Sequence, residues 1–582
     1  MRLIQKNNIT ALLCFSLLVV GSSCSKKDIP EGGNKNAPSN LQVSVEVVGT
    51  TAATPNGDGS GNVNITVSAT NATTYQIILP NQGNKTFTLT NPSGGTVSYT
   101  FSGTAGSTVT YPVQAIAYNG SVKTSTTTSV TVYFAAIKSD VAFWLTTPDK
   151  TALFQLQNVG LNFASATNAN TTITVDASQK FQSIDGFGYA LTGGSAQLIN
   201  QMSAANKDSL LSELFDTSGN HIGVSYLRLS IGASDLSPSA FTYDDFPGDS
   251  TLQNFSIGME TDLIPVLQKI IALNPSIKII ATPWSAPAWM KTNNNMYGGG
   301  DNPGILKPEC YGIYANYFVK YIQAMAAQGI TINAITPQNE PLNAYNNPSM
   351  LMQATEENNF IKNYLAPAFA ANGITAKIIV YDHNLDHPEY ATTILSDPTT
   401  YNLVDGSAFH LYAGNISAMT PVHTQFPDKN LYFTEQYTSS TGDFGGDIQW
   451  HIQNVIVGAT TNWSKNAIEW NLASDPNQQP HLSGGCSDCL GAVTISGASV
   501  VSRNQSYCII AHVAKFVRPG SVRIASTANS SLPNAAFQTP DGKRVLIVLN
   551  TNTSASVTFN IQFNGQAVSP TLPAGAVGTF VW

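Results

Sequence analysis

Between Phe181 and Val513 the chain repeats one pattern eight times: a strand-like run ending in polar or aromatic residues, then a segment with helical spacing. The run endings lie at 183–188, 226–231, 277–284, 332–340, 377–383, 406–412, 431–435 and 467–471. Helical spacing fills the gaps, as at Ser203–Phe215, where Ser203 suits an N-cap and Leu210, Leu211 and Leu214 form a stripe. Further helices are expected around Leu263, Val266, Leu267, Ile270 and Ile271, and over Tyr311–Ala327. Strands that alternate with helices run parallel, because a parallel neighbour is reached only through a crossover. Eight of them in about 330 residues fit a closed (β/α)8 TIM barrel with long loops, assigned to residues 181–513. An open doubly wound sheet also alternates, but it does not predict polar or aromatic residues at the ends of all eight strands.

The regions on either side have strand periodicity instead. Residues 41–135 hold about seven short alternating runs separated by turn clusters such as Pro55-Asn-Gly-Asp-Gly-Ser-Gly61, the pattern of an immunoglobulin-like β-sandwich. Residues 141–180 and 514–582, with runs such as Arg544–Leu549 and Val557–Phe563, are expected to form one side β-sandwich from both ends of the barrel. The fold class expected is therefore α/β: a barrel with an appended β-sandwich, preceded by a separate sandwich.

The N-terminus reads as an export signal. Arg2 and Lys6 precede a mostly apolar stretch, Ile9–Val20, too short to span a bilayer, and Gly-Ser-Ser-Cys follows. Residues 1–24 resemble a lipoprotein signal, which implies lipid attachment at Cys24 and tethering of the mature protein, with residues 25–40 as a flexible spacer. An ordinary secretory signal is the plainer alternative. The expected location is extracytoplasmic, at the outer membrane and cell surface, with the membrane contacted through the lipid alone. Of the thiols beyond the signal, Cys486 and Cys489 sit in a Gly-rich loop without a second C-x-x-C pair, so a small disulfide is expected there rather than zinc. A net charge of -8 with no block of Lys or Arg excludes a nucleic-acid partner, and a monomer is expected.

The strand ends carry Arg228, Trp284, Asn339, Glu340, His410, Tyr412, Glu435 and Trp470, with Asp235 just beyond the second run. Two carboxyl groups on one barrel mouth, Glu340 and Glu435, are the minimal equipment for hydrolysing a glycosidic bond. Aromatic faces pack on the CH faces of sugar rings, and Asn, Asp, Arg and His satisfy hydroxyls, so neutral sugar is the substrate class. Each residue alone has a structural reading, Trp284 as core and Arg228 as partner of a buried carboxylate; their shared face favours function. This chemistry needs no metal and no cofactor. Asp382 and His383 are adjacent on a strand and so expected on opposite faces, which leaves them a structural or subsite role.

Residues from about 141 to 582 resemble glycoside hydrolase family 30, the retaining β-glycosidases that include glucosylceramidases and β-1,6-glucanases. The resemblance lies in Trp144-Leu-Thr-Thr147, Ile184-Asp-Gly-Phe-Gly-Tyr-Ala-Leu-Thr192, Leu227-Arg-Leu-Ser-Ile-Gly232, Thr282-Pro-Trp-Ser-Ala-Pro-Ala-Trp-Met-Lys291, Pro337-Gln-Asn-Glu-Pro341, His410-Leu-Tyr412, Phe433-Thr-Glu435, Trp470-Asn-Leu472 and Gly485-Cys-Ser-Asp-Cys489. It implies a catalytic barrel with an appended sandwich, Glu340 as acid/base and Glu435 as nucleophile. It further implies that Arg228 and Tyr412 keep Glu435 ionised, that Asn339 holds the sugar 2-hydroxyl, and that Asp235, Trp284, His410 and Trp470 line the first sugar subsite. The expected activity is endo-β-1,6-glucanase on a β-glucan polysaccharide or oligosaccharide. The alternatives are a glucosylceramidase or exo-β-glucosidase and, from another class, a surface glycan-binding lipoprotein without catalysis.

Overall fold

The computed structural model describes residues 37–582 except 83, 105, 136–137, 166–167 and 300–301, and the side chain of 501. The expected lipoprotein signal with Cys24, residues 1–24, and most of the expected 25–40 spacer therefore lie outside the described residues. No helix among those described is long and apolar enough to cross a membrane. The chain divides into two compact units, residues 1–136 and 137–582.

The first unit holds two antiparallel sheets. One joins Ser39–Val47, Asn62–Thr70 and Gly95–Thr100; the other joins Lys85–Leu89, Thr74–Leu79, Thr108–Asn119 and Val122–Tyr133. Period-two alternation decides the layers: Val63, Ile65 and Val67 face Tyr75, Ile77 and Leu79 in one core, while the intervening residues stay more exposed.

In the second unit the two flanks pair directly. Ala142–Thr146 lies antiparallel to Val577–Val581, and Thr172–Ser183 lies antiparallel to Val522–Ser526, within one nine-stranded sheet. His512, on the helix Gln505–Ala514, ties this sheet to the barrel: its Nδ1 lies 2.9 Å from Thr579 Oγ1 and its Nε2 lies 2.8 Å from Thr146 Oγ1. Burial pushes that imidazole down to about 3, so the link is between neutral groups.

Eight parallel strands form the barrel: β1 (Gly186–Ala190), β2 (Tyr226–Ser230), β3 (Lys278–Thr282), β4 (Ala334–Ile335), β5 (Lys377–Leu385), β6 (Gly406–Gly414), β7 (Asn430–Glu435) and β8 (Asn466–Glu469). β8 pairs with β1, and β7 meets β8 through the Leu431–Ser464 bridge and the Phe433 N–H, which donates to Asn466 Oδ1 at 2.8 Å. Inside, Tyr226, Ile280, Ala334, Ile379, Ala408, Tyr432 and Ile468 make one apolar layer. Two residues further along most of these strands come Arg228, Thr282, Thr336, His410, Thr434 and Trp470, all buried. Successive side chains on a strand alternate between faces, so the same parity that builds the apolar layer places the polar one directly above it.

β5 breaks this rhythm. Ile379 belongs to the apolar layer, so Tyr381 should face inward next, yet the pairing with β6 skips a residue between Tyr381 and His383. Tyr381 (φ 76°) and Asp382 (φ 67°) both adopt left-handed conformations, as at a β-bulge. Tyr381 stacks instead on Tyr390 at 4.7 Å, and Asp382 takes the inward place in the polar layer.

Candidate active site

Asp382 is the hub beneath the barrel mouth. It is fully buried, and its Oδ2 accepts from Arg228 Nη2 (2.8 Å) and Thr336 Oγ1 (2.8 Å), while Oδ1 accepts from Thr434 Oγ1 (2.6 Å) and lies 3.2 Å from His410 Nε2. From this hub two arms reach the paired glutamates. Arg228 Nη1 donates to Glu435 Oε2 at 2.5 Å and its Nη2 donates to Asn339 Oδ1 at 2.7 Å. His410 Nδ1 lies 3.1 Å from Glu340 Oε1. A third contact is through the backbone: the Glu340 N–H donates to the Asp382 carbonyl at 3.1 Å. Glu340 itself has φ 44°, and Asn343 Nδ2 donates to its Oε2 at 2.8 Å.

On the other carboxylate, Tyr412 Oη donates to Glu435 Oε1 at 2.9 Å, and the Tyr412 N–H is fixed by Asn384 Oδ1 at 2.9 Å. Ligand atoms of Glu340, His410 and Glu435 all lie within 4.8 Å of one another. Above them opens a cavity of about 410 Å³ lined by Asp235, Glu340, Tyr345, Tyr412, Glu435 and Trp470 together with the 484–486 loop. Cys486 and Cys489 form a disulfide in that loop, and the Cys486 N–H donates to Asp235 Oδ2 at 3.2 Å.

The charges follow from these contacts. Burial works against the ionised form of Asp382, but the Arg228 guanidinium and the His410 bond hold its carboxyl well below the usual carboxylate range. Burial also opposes charge on His410; the Glu435 charge and the bonds to Asp382 and Glu340 outweigh it and lift the imidazole to about 9. Burial raises Glu340, yet the His410 bond and the charges of His383 and His410 hold it down at about 2. Glu435 is raised above its ordinary value by burial and by the Glu340 and Asp382 charges, against His410 and Arg228. Asp235 is pushed up to about 7, by burial first and by Glu435 second. Near neutrality the one proton that His410 and Glu340 share across 3.1 Å therefore rests on His410, and Glu435 is the carboxylate paired with a fixed cation.

Of the residues singled out from the sequence, Asp235, Glu340, Tyr412, Glu435 and Trp470 reach the cavity wall. Arg228 and His410 lie below it and contact Glu435 and Glu340, and Asn339 keeps its side-chain carbonyl on Arg228. Trp284 is 1% exposed and stacks behind Trp470, with ring centroids 5.3 Å apart and the Arg228 guanidinium 4.9 Å over its face. Asp382 and His383 do not split cleanly to opposite faces, because the bulge intervenes: His383 packs its ring 6.4 Å from that of His410. Asn343 and Tyr345 join the cavity without having been anticipated. Their signal is only that they follow Glu340 in the loop that a barrel presents to substrate.

Two carboxyl groups set a short distance apart, in a polar cavity with aromatic walls at the mouth of a (β/α)8 barrel, define a barrel glycosidase. The glycosyl hydrolase family 30 TIM-barrel domain matches residues 184–517, and the β-sandwich domain of that family matches residues 520–580. The chain belongs to glycoside hydrolase family 30. It is 35% identical to an endo-1,6-β-D-glucanase of Trichoderma harzianum over 433 residues, 71% of this chain and 86% of that protein. It is 29% identical to the lysosomal acid glucosylceramidase of Mus musculus over 450 residues, 73% of this chain and 86% of that one. A solved endo-β1,6-glucanase superposes with a TM-score of 0.71 at 35% identity, covering 76% of this chain and 99% of its own.

Proposed function

We propose that the protein hydrolyses a neutral β-1,6-linked glucan at internal bonds with retention of configuration, Glu435 acting as nucleophile and Glu340 as acid/base. The observation that carries this reading is the approach of Glu340, His410 and Glu435 within 4.8 Å, since retaining enzymes hold their carboxyl groups about 5 to 5.5 Å apart. Glu435 Oε attacks the anomeric carbon as the bond to the departing oxygen breaks, and that oxygen takes the proton of Glu340. The proton reaches Glu340 from Nδ1 of His410, the other half of the pair that shares it. In the second step Glu340 removes a proton from water, the water oxygen attacks the same carbon, and Glu435 leaves as carboxylate. Arg228 and Tyr412 keep Glu435 ionised between turnovers. Asn339, its carbonyl committed to Arg228, has its amide N–H groups to offer the sugar 2-hydroxyl.

The choice of glucan is supported by the names of the relatives and the structure at 35% identity. Asp235 and the disulfide loop bound to it form part of the cavity wall and so help to set the shape of the first subsite. A lipid at Cys24 would hold the enzyme at the cell surface, where polysaccharide arrives; a Cys24→Ala variant should leave the membrane fraction. The decisive experiment follows the products of a β-1,6-glucan by NMR. Oligosaccharides appearing first as the β anomer are expected. Cleavage of an aryl β-glucoside or glucosylceramide with none of the glucan would overturn the substrate and leave the enzyme class standing, whereas initial α anomer would overturn retention.

A further inference from the structure

Glu357, on the helix Ala354–Phe360, is fully buried behind β5 and outside the cavity. Its Oε1 accepts the Tyr381 N–H at 3.0 Å, the first peptide group of the bulge. Its Oε2 lies 2.8 Å from Tyr390 Oη, and the same phenol oxygen lies 3.0 Å from the Met352 carbonyl. A phenol has one hydrogen to give, and a carbonyl only accepts. If Tyr390 donates to Met352, the hydrogen between Tyr390 and Glu357 belongs to Glu357. Both contacts are satisfied together only when Glu357 is a carboxylic acid.

The two ends of this chain of bonds meet again at Glu340. On one side, the bulge residue Asp382 offers its carbonyl to the Glu340 N–H at 3.1 Å; on the other, the Met352 N–H donates to the Pro341 carbonyl at 2.9 Å. We infer that Glu357 is a positioning residue that works as a neutral acid, clamping the Tyr381–Asp382 bulge to the 340–352 loop so that Glu340 is held at its working place. The inference rests on Glu340 being the acid/base. Burial pushes the Glu357 carboxyl up to about 7, with the Tyr381 and Tyr390 bonds pulling the other way and the Asp382 charge adding to the rise, in keeping with the neutral form.

The test compares Glu357→Gln with Glu357→Ala on a β-1,6-linked oligosaccharide and on a dinitrophenyl β-glucoside, whose leaving group needs little protonation. The Gln amide keeps the acceptor for Tyr381 and a donor for Tyr390, so kcat on the oligosaccharide should stay within about threefold of the parent. Glu357→Ala should lose roughly 30-fold or more in that kcat with KM within about threefold, and much less on the activated glucoside. Gln as damaging as Ala would overturn the neutral-acid role. Equal losses on both substrates, or none, would overturn the positioning role. If Glu357→Ala does not fold, Tyr390→Phe removes the phenol oxygen that accepts the Glu357 hydrogen and the phenol hydrogen given to Met352, and keeps the ring stacked on Tyr381; it should give a smaller loss with the same dependence on leaving group, and no such dependence would overturn the clamp. Glu340→Gln is the separate control: if it retained turnover of the oligosaccharide, the acid/base reading would fall on its own.

Discussion

Two layers of the barrel interior lie one above the other on the same strands and obey opposite rules. The lower one, built around Tyr226, Ile280, Ile379 and Ile468, is filled by apolar bulk and holds no ion pair, its Tyr432 hydroxyl donating to Asp405 Oδ2 at 2.6 Å. The upper one puts Arg228, Asp382 and His410 in an equally buried place, where each charge would cost several kcal/mol unless it were paired and hydrogen-bonded. Asp382 meets that need through one guanidinium, one imidazole and three threonine hydroxyls, those of Thr282, Thr336 and Thr434. The lower layer tolerates change of shape so long as volume is kept. The upper one is a single network whose geometry is handed on to Glu340 and Glu435.

The contrast can be broken deliberately. Glu435→Gln, which touches only the top of the network, should lower turnover by at least about 10⁴-fold while leaving the fold and sugar binding intact; kcat and calorimetric titration check it together. Asp382→Asn strikes the hub: an amide cannot accept from all five neighbours and leaves Arg228 without its counter-charge. A loss of roughly 100-fold in kcat and about 3–5 kcal/mol in stability is expected from activity and urea unfolding.

The shared proton gives the pH response. His410 has its pKa raised to about 9, so the stability it contributes is complete below its ordinary value of about 6.5 and is lost as pH rises through about 9. Activity should fall about tenfold per unit on that alkaline side as Glu340 loses its source of protons, and on the acid side as Glu435 protonates at a pH above its ordinary 4.5. An alkaline limb unchanged in His410→Gln would refute the shared proton. Smallest in its effect on catalysis is Ile280→Ala in the lower layer, which should cost about 2–5 kcal/mol of stability with kcat within about twofold of the parent. A large loss of kcat in that variant would mean that the layers are not separable.

Much of the barrel is legible along the chain. Ser203 accepts from the Asn206 N–H at the start of its helix, Tyr311–Ala327 is helical end to end, and Glu435 closes β7. These features rest on local spacing and capping, which a sequence displays. β4 is only the pair Ala334–Ile335, shorter than its apolar run suggests, because the chain leaves the sheet early to carry Glu340 to the mouth in a left-handed conformation. Asp382 was readable as a polar residue at a strand end but not as the hub, since strict alternation assigns the inward place to Tyr381. The Glu357 clamp gives no signal at all in a single sequence: a glutamate in a helix is ordinarily solvated, and only packing against β5 buries it.

By itself, then, the sequence determined the alternation of elements, the strand ends that meet at one mouth and the two glutamates among them, because periodicity and turn chemistry act over a few residues. The tertiary structure alone decided which of those side chains line the cavity, which hold others in place and where the shared proton rests. Those outcomes depend on a one-residue bulge and on burial, and both are set by contacts between segments far apart in the chain.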